Sequence, residues 1–153
     1  MKTANVLSSL AVLEILAGAV SVTDALAAEQ YNFSFGAAEL YAAGDYCRWL
    51  VAGDFNGDGY IDLATANEAV DTRADSVSVL INRGDGTYNA RVDYAVGGDS
   101  AVDGWDGPIW VGKGDFNRDG FLDLVSANMY EGSISVLMNS GVGTFNSQQI
   151  YHI

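Results

Sequence analysis

The sequence predicts an all-β chain of β-propeller blades, each of four antiparallel strands, with about two blades and therefore an incomplete propeller. Three observations predict it. The chain holds 18 Gly against one Pro, with eight Tyr and six Phe, a composition suited to short strands and tight turns. One stretch, Gly53-Asp54-Phe55-Asn56-Gly57-Asp58-Gly59-Tyr60-Ile61-Asp62-Leu63, returns as Gly114-Asp115-Phe116-Asn117-Arg118-Asp119-Gly120-Phe121-Leu122-Asp123-Leu124. Each copy then parses into four short runs bounded by turn residues. Four strands repeated in tandem describe propeller blades; a β-sandwich, the competing all-β arrangement, does not predict sequence repetition.

The elements follow in order. The first strand leads into the repeated loop, as Trp49 to Phe55 and Ile109 to Phe116. The second leaves it, as Asp62 to Asn67 and Asp123 to Asn128. The third, Ser76 to Asn82 and Ser133 to Asn139, alternates Ser with Val or Ile, a period-two pattern with one polar face. The fourth follows a glycine turn, as Tyr88 to Val96 and Phe145 to Ile153. Asp54 and Asp115 are 61 positions apart, whereas the third and fourth strands are offset by 57. The first copy thus carries four extra residues within Glu68 to Asp75, where a surface loop absorbs them. The linker from Gly97 to Gly107 is longer than its counterpart and carries Asp99, Asp103, Trp105 and Asp106. It reads as a surface loop whose Trp tucks against the blade, in preference to a sugar-binding platform.

Ahead of the first copy, Tyr41-Ala42-Ala43-Gly44 resembles Tyr94-Ala95-Val96-Gly97. Residues Tyr31 to Ala43 therefore read as a fourth strand without a blade of its own, an edge in need of a partner. Closed propellers need ~4–8 blades, so further blades or other chains must complete this one. A truncated product is expected in preference to assembly from several chains.

Residues 1–27 read as an export signal, with Lys2 before a mostly apolar Val6 to Val22 and a small-x-small site at Ala25-Leu26-Ala27. Residues 28–153 form the repeat region, with repeat one at about 45–97 and repeat two at about 98–153. The expected location is extracellular, cell-surface or periplasmic, with no membrane span in the mature chain. The net charge of −13 argues against nucleic acid and anionic membranes as partners. The single cysteine, Cys47, allows no intramolecular disulfide and is expected to be a buried structural residue. The single histidine, His152, stands next to the C-terminus, so no His-based triad is available, and no glycine run precedes a helix as a phosphate loop would require.

Six of the twenty acidic residues lie in the two repeated loops. Asp54, Asn56 and Asp58 alternate, so their oxygens can converge while Gly59 permits the sharp turn. The Tyr60 carbonyl points inward and Asp62 closes the shell. Asp115, Asn117, Asp119, the Phe121 carbonyl and Asp123 repeat the set. Such oxygen ligands suit calcium, which takes about six to eight of them; soft metals want His or Cys, and neither is near. The loops are not EF-hands, because the twelfth position is Thr65 or Ser126 and β-type sequence follows. Two calcium ions are expected, one per repeat. The competing reading is a pair of metal-free turns rich in Asp and Asn.

The Asp-Phe-Asn-x-Asp-Gly-x-x-Asp-Leu runs, the Ser-Val-Ser-Val-Leu strand and the Gly-x-Gly-Thr-aromatic turn resemble FG-GAP/VCBS repeats, the calcium-bearing blades similar to the integrin α-subunit propeller. The resemblance covers roughly Tyr31 to Ile153. It implies a calcium-stabilised propeller on an exported or surface protein. The function expected is a non-catalytic adhesion or binding module for an extracellular protein or glycan. The alternatives are an accessory or fragmentary part of a secreted polysaccharide-active enzyme, and a purely structural repeat with no ligand.

Overall fold

The computed structural model describes residues 37–68, 75–97, 107–129 and 131–153. The expected export signal at residues 1–27, the 69–74 segment and the linker bearing Asp99, Asp103, Trp105 and Asp106 lie outside the described residues. The chain divides into two units, Met1–Glu39 and Leu40–Ile153, and the second contains all the strands described below.

Eight strands form two separate four-stranded antiparallel sheets: β1 (Cys47–Gly53), β2 (Asp62–Asn67), β3 (Ser76–Leu80) and β4 (Val92–Ala95), then β5 (Pro108–Gly114), β6 (Asp123–Asn128), β7 (Ser133–Leu137) and β8 (Gln149–His152). Each sheet runs in sequence order, β1-β2-β3-β4 and β5-β6-β7-β8, and among the described residues there is no helix. These are two all-β blades of a partial propeller. The register repeats too. Trp49 faces Ala66 and Gly53 faces Asp62 in blade 1, while Trp110 faces Ala127 and Gly114 faces Asp123 in blade 2. Both first strands carry an irregularity at the same place, between Cys47 and Trp49 and between Pro108 and Trp110.

The second strands have the limits the sequence predicts. The first strands begin earlier and stop before Phe55 and Phe116, because the chain turns into the acidic loop at Asp54 and Asp115. The third strands end at Leu80 and Leu137, and Asn82 and Asn139 continue only as single bridges to Tyr88 and Phe145. The fourth strands are much shorter than expected. Residues 37–43 form no strand, so the described part of the predicted fourth strand from Tyr31 to Ala43 belongs to no sheet. Cys47 is exposed, not buried as expected, because it lies on an edge strand paired only with β2, at the irregularity.

One core joins the blades. Successive residues of a strand face opposite sides. In blade 1 the side bearing Ala64, Ala66, Val77 and Val79 packs against blade 2, which contributes Val111, Leu124, Leu137 and Phe145. Phe55 lies at the loop end of this interface, fully buried, its ring edge-on to Phe145 at 5.9 Å between centroids and 74° between planes. Phe145 also meets Tyr94 edge-on at 5.4 Å. The aromatic that follows blade 2's glycine turn thus plugs the end of blade 1.

The serine side of the third strands is not solvated, as a half-buried strand would suggest. Ser78 and Ser135 are fully buried, with Thr65, Asn67, Ser126 and Asn128 nearly so. Asn67 Nδ2 donates to Ser78 Oγ at 2.8 Å, and Ser78 Oγ donates to Asp93 Oδ1 at 2.5 Å. Asn128 Nδ2 donates to Ser133 Oγ at 3.0 Å and Ser135 Oγ at 2.9 Å, and Ser135 Oγ accepts the Gly97 N–H at 3.0 Å. Buried hydroxyls tolerate this position because each has a partner.

Candidate cation-binding loops

Each acidic loop joins the first two strands of its blade, so the pairing of Gly53 with Asp62 or Gly114 with Asp123 clamps its ends. Inside that clamp the side chains fold onto the loop's own backbone. Asp54 Oδ1 accepts the N–H of Gly57 at 2.7 Å and of Asp58 at 3.2 Å, and Oδ2 accepts that of Gly59 at 2.9 Å. Asn56 Oδ1 accepts the Asp58 N–H at 3.1 Å, and Asp58 Oδ1 accepts the Tyr60 N–H at 2.8 Å. Asn56 Nδ2 donates to Asp58 Oδ2 at 2.8 Å. The second loop repeats the pattern: Asp115 accepts from Asp119 and Gly120 at 3.0 Å each, Asn117 from Asp119 at 3.0 Å, and Asp119 from Phe121 at 2.9 Å.

The sixth positions, Gly59 and Gly120, take φ of +87° and +92°, where a side chain is strained. The fourth positions differ. Gly57 takes φ +76°, and Arg118 takes the same left-handed conformation at +65°. Arg118→Gly is expected to raise the unfolding free energy by up to about 1 kcal/mol, because the left-handed penalty of roughly 1–2 kcal/mol outweighs the entropy glycine loses on folding. A urea midpoint that falls in this variant would contradict the strain.

The third acidic position has a different setting. Asp62 and Asp123 are fully buried. Asp62 Oδ2 accepts the Phe55 N–H and Oδ1 accepts the Asn82 N–H, both at 2.8 Å. Asp123 does the same with Phe116 and Asn139, both at 2.9 Å. Each carboxylate therefore ties the start of its loop to the end of the third strand. Burial pushes the Asp62 carboxyl above the usual range, the Asn82 and Phe55 N–H groups pull it back, and the charges of Asp58 and Asp54 add to the rise.

Asn82 and Asn139 escaped the sequence reading, although both close the repeated Ser-Val-Leu block. Asn82 Nδ2 donates to the Ile61 carbonyl at 3.0 Å and Oδ1 accepts the Gly84 N–H at 2.8 Å. Asn139 makes the equivalent bonds to Leu122 and Gly141, both at 2.9 Å, and a further one to the Phe55 carbonyl of blade 1 at 2.7 Å. The Tyr60 and Phe121 rings, whose carbonyls belong to the expected ligand sets, lie against Gly84 and Gly141, where an added Cβ would come within 2.7 and 2.9 Å of ring carbon.

The donor set of each loop is hard oxygen, which matches calcium chemistry. A carboxylate offers about four lone-pair sites, so the side chains of Asp54, Asn56 and Asp58 keep acceptor capacity beyond their internal bonds. Among the described residues, however, no three Asp, Glu, His or Cys side chains group as a metal cluster. Asp62 and Asp123 face inward to backbone, while two carboxylates and one amide per loop lie nearer the surface.

Residues 48–80 match the family model of the FG-GAP repeat. That span covers β1 from Arg48 onward, the first acidic loop, β2 and β3. No curated protein and no solved structure matches the chain.

Proposed function

From an FG-GAP repeat over residues 48–80 and a second sheet of the same order and register behind it, both pointing to a propeller-type ligand-binding module, we propose a calcium-braced, non-catalytic adhesion or binding module. The observation that supports it best is the duplicated oxygen-rich loop. Asp54, Asn56 and Asp58, with the Tyr60 carbonyl, would hold one ion; Asp115, Asn117 and Asp119, with the Phe121 carbonyl, would hold the other. Asp62 and Asp123 would back each site from within. The ion would offset the repulsion of neighbouring carboxylates and lock the loop onto β1 and β2. It would serve as a brace, and the ligand would be an extracellular protein or glycan met by the loops between strands. Export through residues 1–27 belongs to the same reading. Among the described residues no helix is long and apolar enough to cross a membrane.

Calcium is expected to raise the thermal midpoint in proportion to the logarithm of its concentration, by linkage, and a chelator to reverse the rise. Calorimetric titration should give two sites per chain. Asp58→Ala should leave one site, and Asp58→Ala with Asp119→Ala none. A thermal midpoint indifferent to calcium and chelator would sink the proposal.

A further inference from the structure

We propose that Asn56 is a self-modification site: in the folded chain its amide is lost through attack by the Gly57 backbone nitrogen, while Asn117 in the matching loop is spared. The proposal goes beyond the binding reading and does not rest on calcium. Asn56-Gly57 is the single Asn-Gly pair in the sequence. The side-chain amide carbon of an asparagine lies one ring closure from the next backbone nitrogen, and a five-membered imide forms when that nitrogen reaches it. A side chain on the following residue crowds the approach; glycine has none.

The loop holds both partners in place. The Asp58 N–H donates to Asn56 Oδ1 at 3.1 Å, a turn that folds the side chain back over the Gly57 peptide. The same bond puts a donor on the oxygen where negative charge develops during attack. Asn56 Nδ2, the nitrogen that must leave, donates to Asp58 Oδ2 at 2.8 Å. The Gly57 N–H donates to Asp54 Oδ1 at 2.7 Å, so an acceptor stands within reach of the proton that attack releases. Gly57 is exposed, and nothing lies within 4 Å of the place its Cβ would take.

The second loop serves as a comparison within the same molecule. Asn117 Oδ1 accepts the Asp119 N–H at 3.0 Å, and Asn117 Nδ2 donates to Asp119 Oδ2 at 2.7 Å. Asn117 is exposed and Asn56 half-buried, so exposure alone would favour Asn117. What separates them is the next residue, Gly57 against Arg118, at φ of +76° and +65°. Asn67, Asn128 and Asn139 are buried, and no asparagine but Asn56 is followed by glycine.

The bond from Gly57 N to Asn56 Cγ forms and the Cγ–Nδ2 bond breaks. The Gly57 proton leaves through Asp54 to solvent, solvent returns one to Nδ2, and ammonia departs. Water then opens the imide at either carbonyl. Opening at Cγ gives aspartate in an unchanged main chain; opening at the backbone carbonyl gives isoaspartate, with an extra methylene in the main chain. Either product adds a negative charge to a loop that already carries Asp54, Asp58 and Asp62. Isoaspartate also lengthens the chain inside the clamp set by the pairing of Gly53 with Asp62. Repeat one thus changes with age and repeat two does not.

The test is to age the full chain in neutral buffer with chelator, at physiological temperature. Peptide mass spectrometry reads the conversion of amide to acid, and an isoaspartyl methyltransferase labels the isoaspartate. Conversion at Asn56 is expected to be at least ~10-fold faster than at Asn117, the rate that a Cβ clash of ordinary size costs. Gly57→Arg, which gives the first loop the residue of the second, should bring Asn56 down to the rate of Asn117. Arg118→Gly should bring Asn117 up to that of Asn56. Circular dichroism and urea midpoints check folding; if Gly57→Arg does not fold, Arg118→Gly carries the test. Equal rates at Asn56 and Asn117 in the wild type overturn the proposal, as does an Asn117 rate that Arg118→Gly leaves unchanged. Conversion at Asn56 seen only in urea would mean that the folded loop shields the pair, and also overturns it. Every arm runs in chelator, so failure of the calcium reading leaves this result standing, and the reverse.

Discussion

Replacing Phe55 by Ala is expected to cost about 3–5 kcal/mol of stability, the range for removing a buried aromatic. The same change at Phe116, its repeat counterpart, should cost less than about 1 kcal/mol in the monomer, as for surface changes. The two residues sit in nearly identical sequence, Gly-Asp-Phe-Asn in each case. Only their neighbours differ. Phe55 is enclosed by blade 2, with Phe145 edge-on at 5.9 Å, and its carbonyl holds Asn139. Phe116 is 50% exposed on the open face. Truncating Phe55 therefore leaves a cavity between blades and loosens the one interface on which both depend. Urea unfolding at a protein concentration below any self-association measures both. Equal costs at the two positions would mean that the blades do not bury Phe55 against each other.

That pair also marks what the sequence can disclose. The repeat carried the strand count, the order of strands and the limits of β2 and β6, because Asp-Leu-Ala-Thr-Ala-Asn and Asp-Leu-Val-Ser-Ala-Asn combine strand-forming residues with a fixed loop before them. It could not tell Phe55 from Phe116, since burial here depends on whether another blade follows. The same limit explains the serines. Period two separates one face from the other, but it does not say that both faces meet protein, and Ser78 and Ser135 are buried among polar partners. Cys47 was misread because its apolar character says nothing about its place on an edge strand. The fourth strands are short because residues 89–91 and 146–148, which follow single bridges at Tyr88 and Phe145, belong to no strand.

Asp62→Ala is expected to destabilise the protein by about 2–6 kcal/mol even in excess chelator, because two backbone N–H groups would lose their acceptor at roughly 1–3 kcal/mol each. The Phe55 N–H starts the acidic loop and the Asn82 N–H lies two residues beyond β3, so Asp62 joins two points 27 residues apart in sequence through one buried side chain. Asp62→Asn should retain part of the effect, since an amide oxygen can accept one N–H while its NH₂ meets the other as a second donor. Asp58→Ala behaves differently. Asp58 is exposed, so in chelator its loss should change stability by no more than about 0.5 kcal/mol, yet it should remove the stabilisation that calcium confers. The two variants thus separate the two tasks of the acidic loop. A buried carboxylate fastens the loop to the blade in either condition, and the exposed oxygens act only when an ion is present. Should Asp62→Ala prove harmless in chelator and harmful only in calcium, Asp62 would be a ligand first, and the hydrogen bonds from Phe55 and Asn82 would be a consequence of ion binding and not the means of holding the loop.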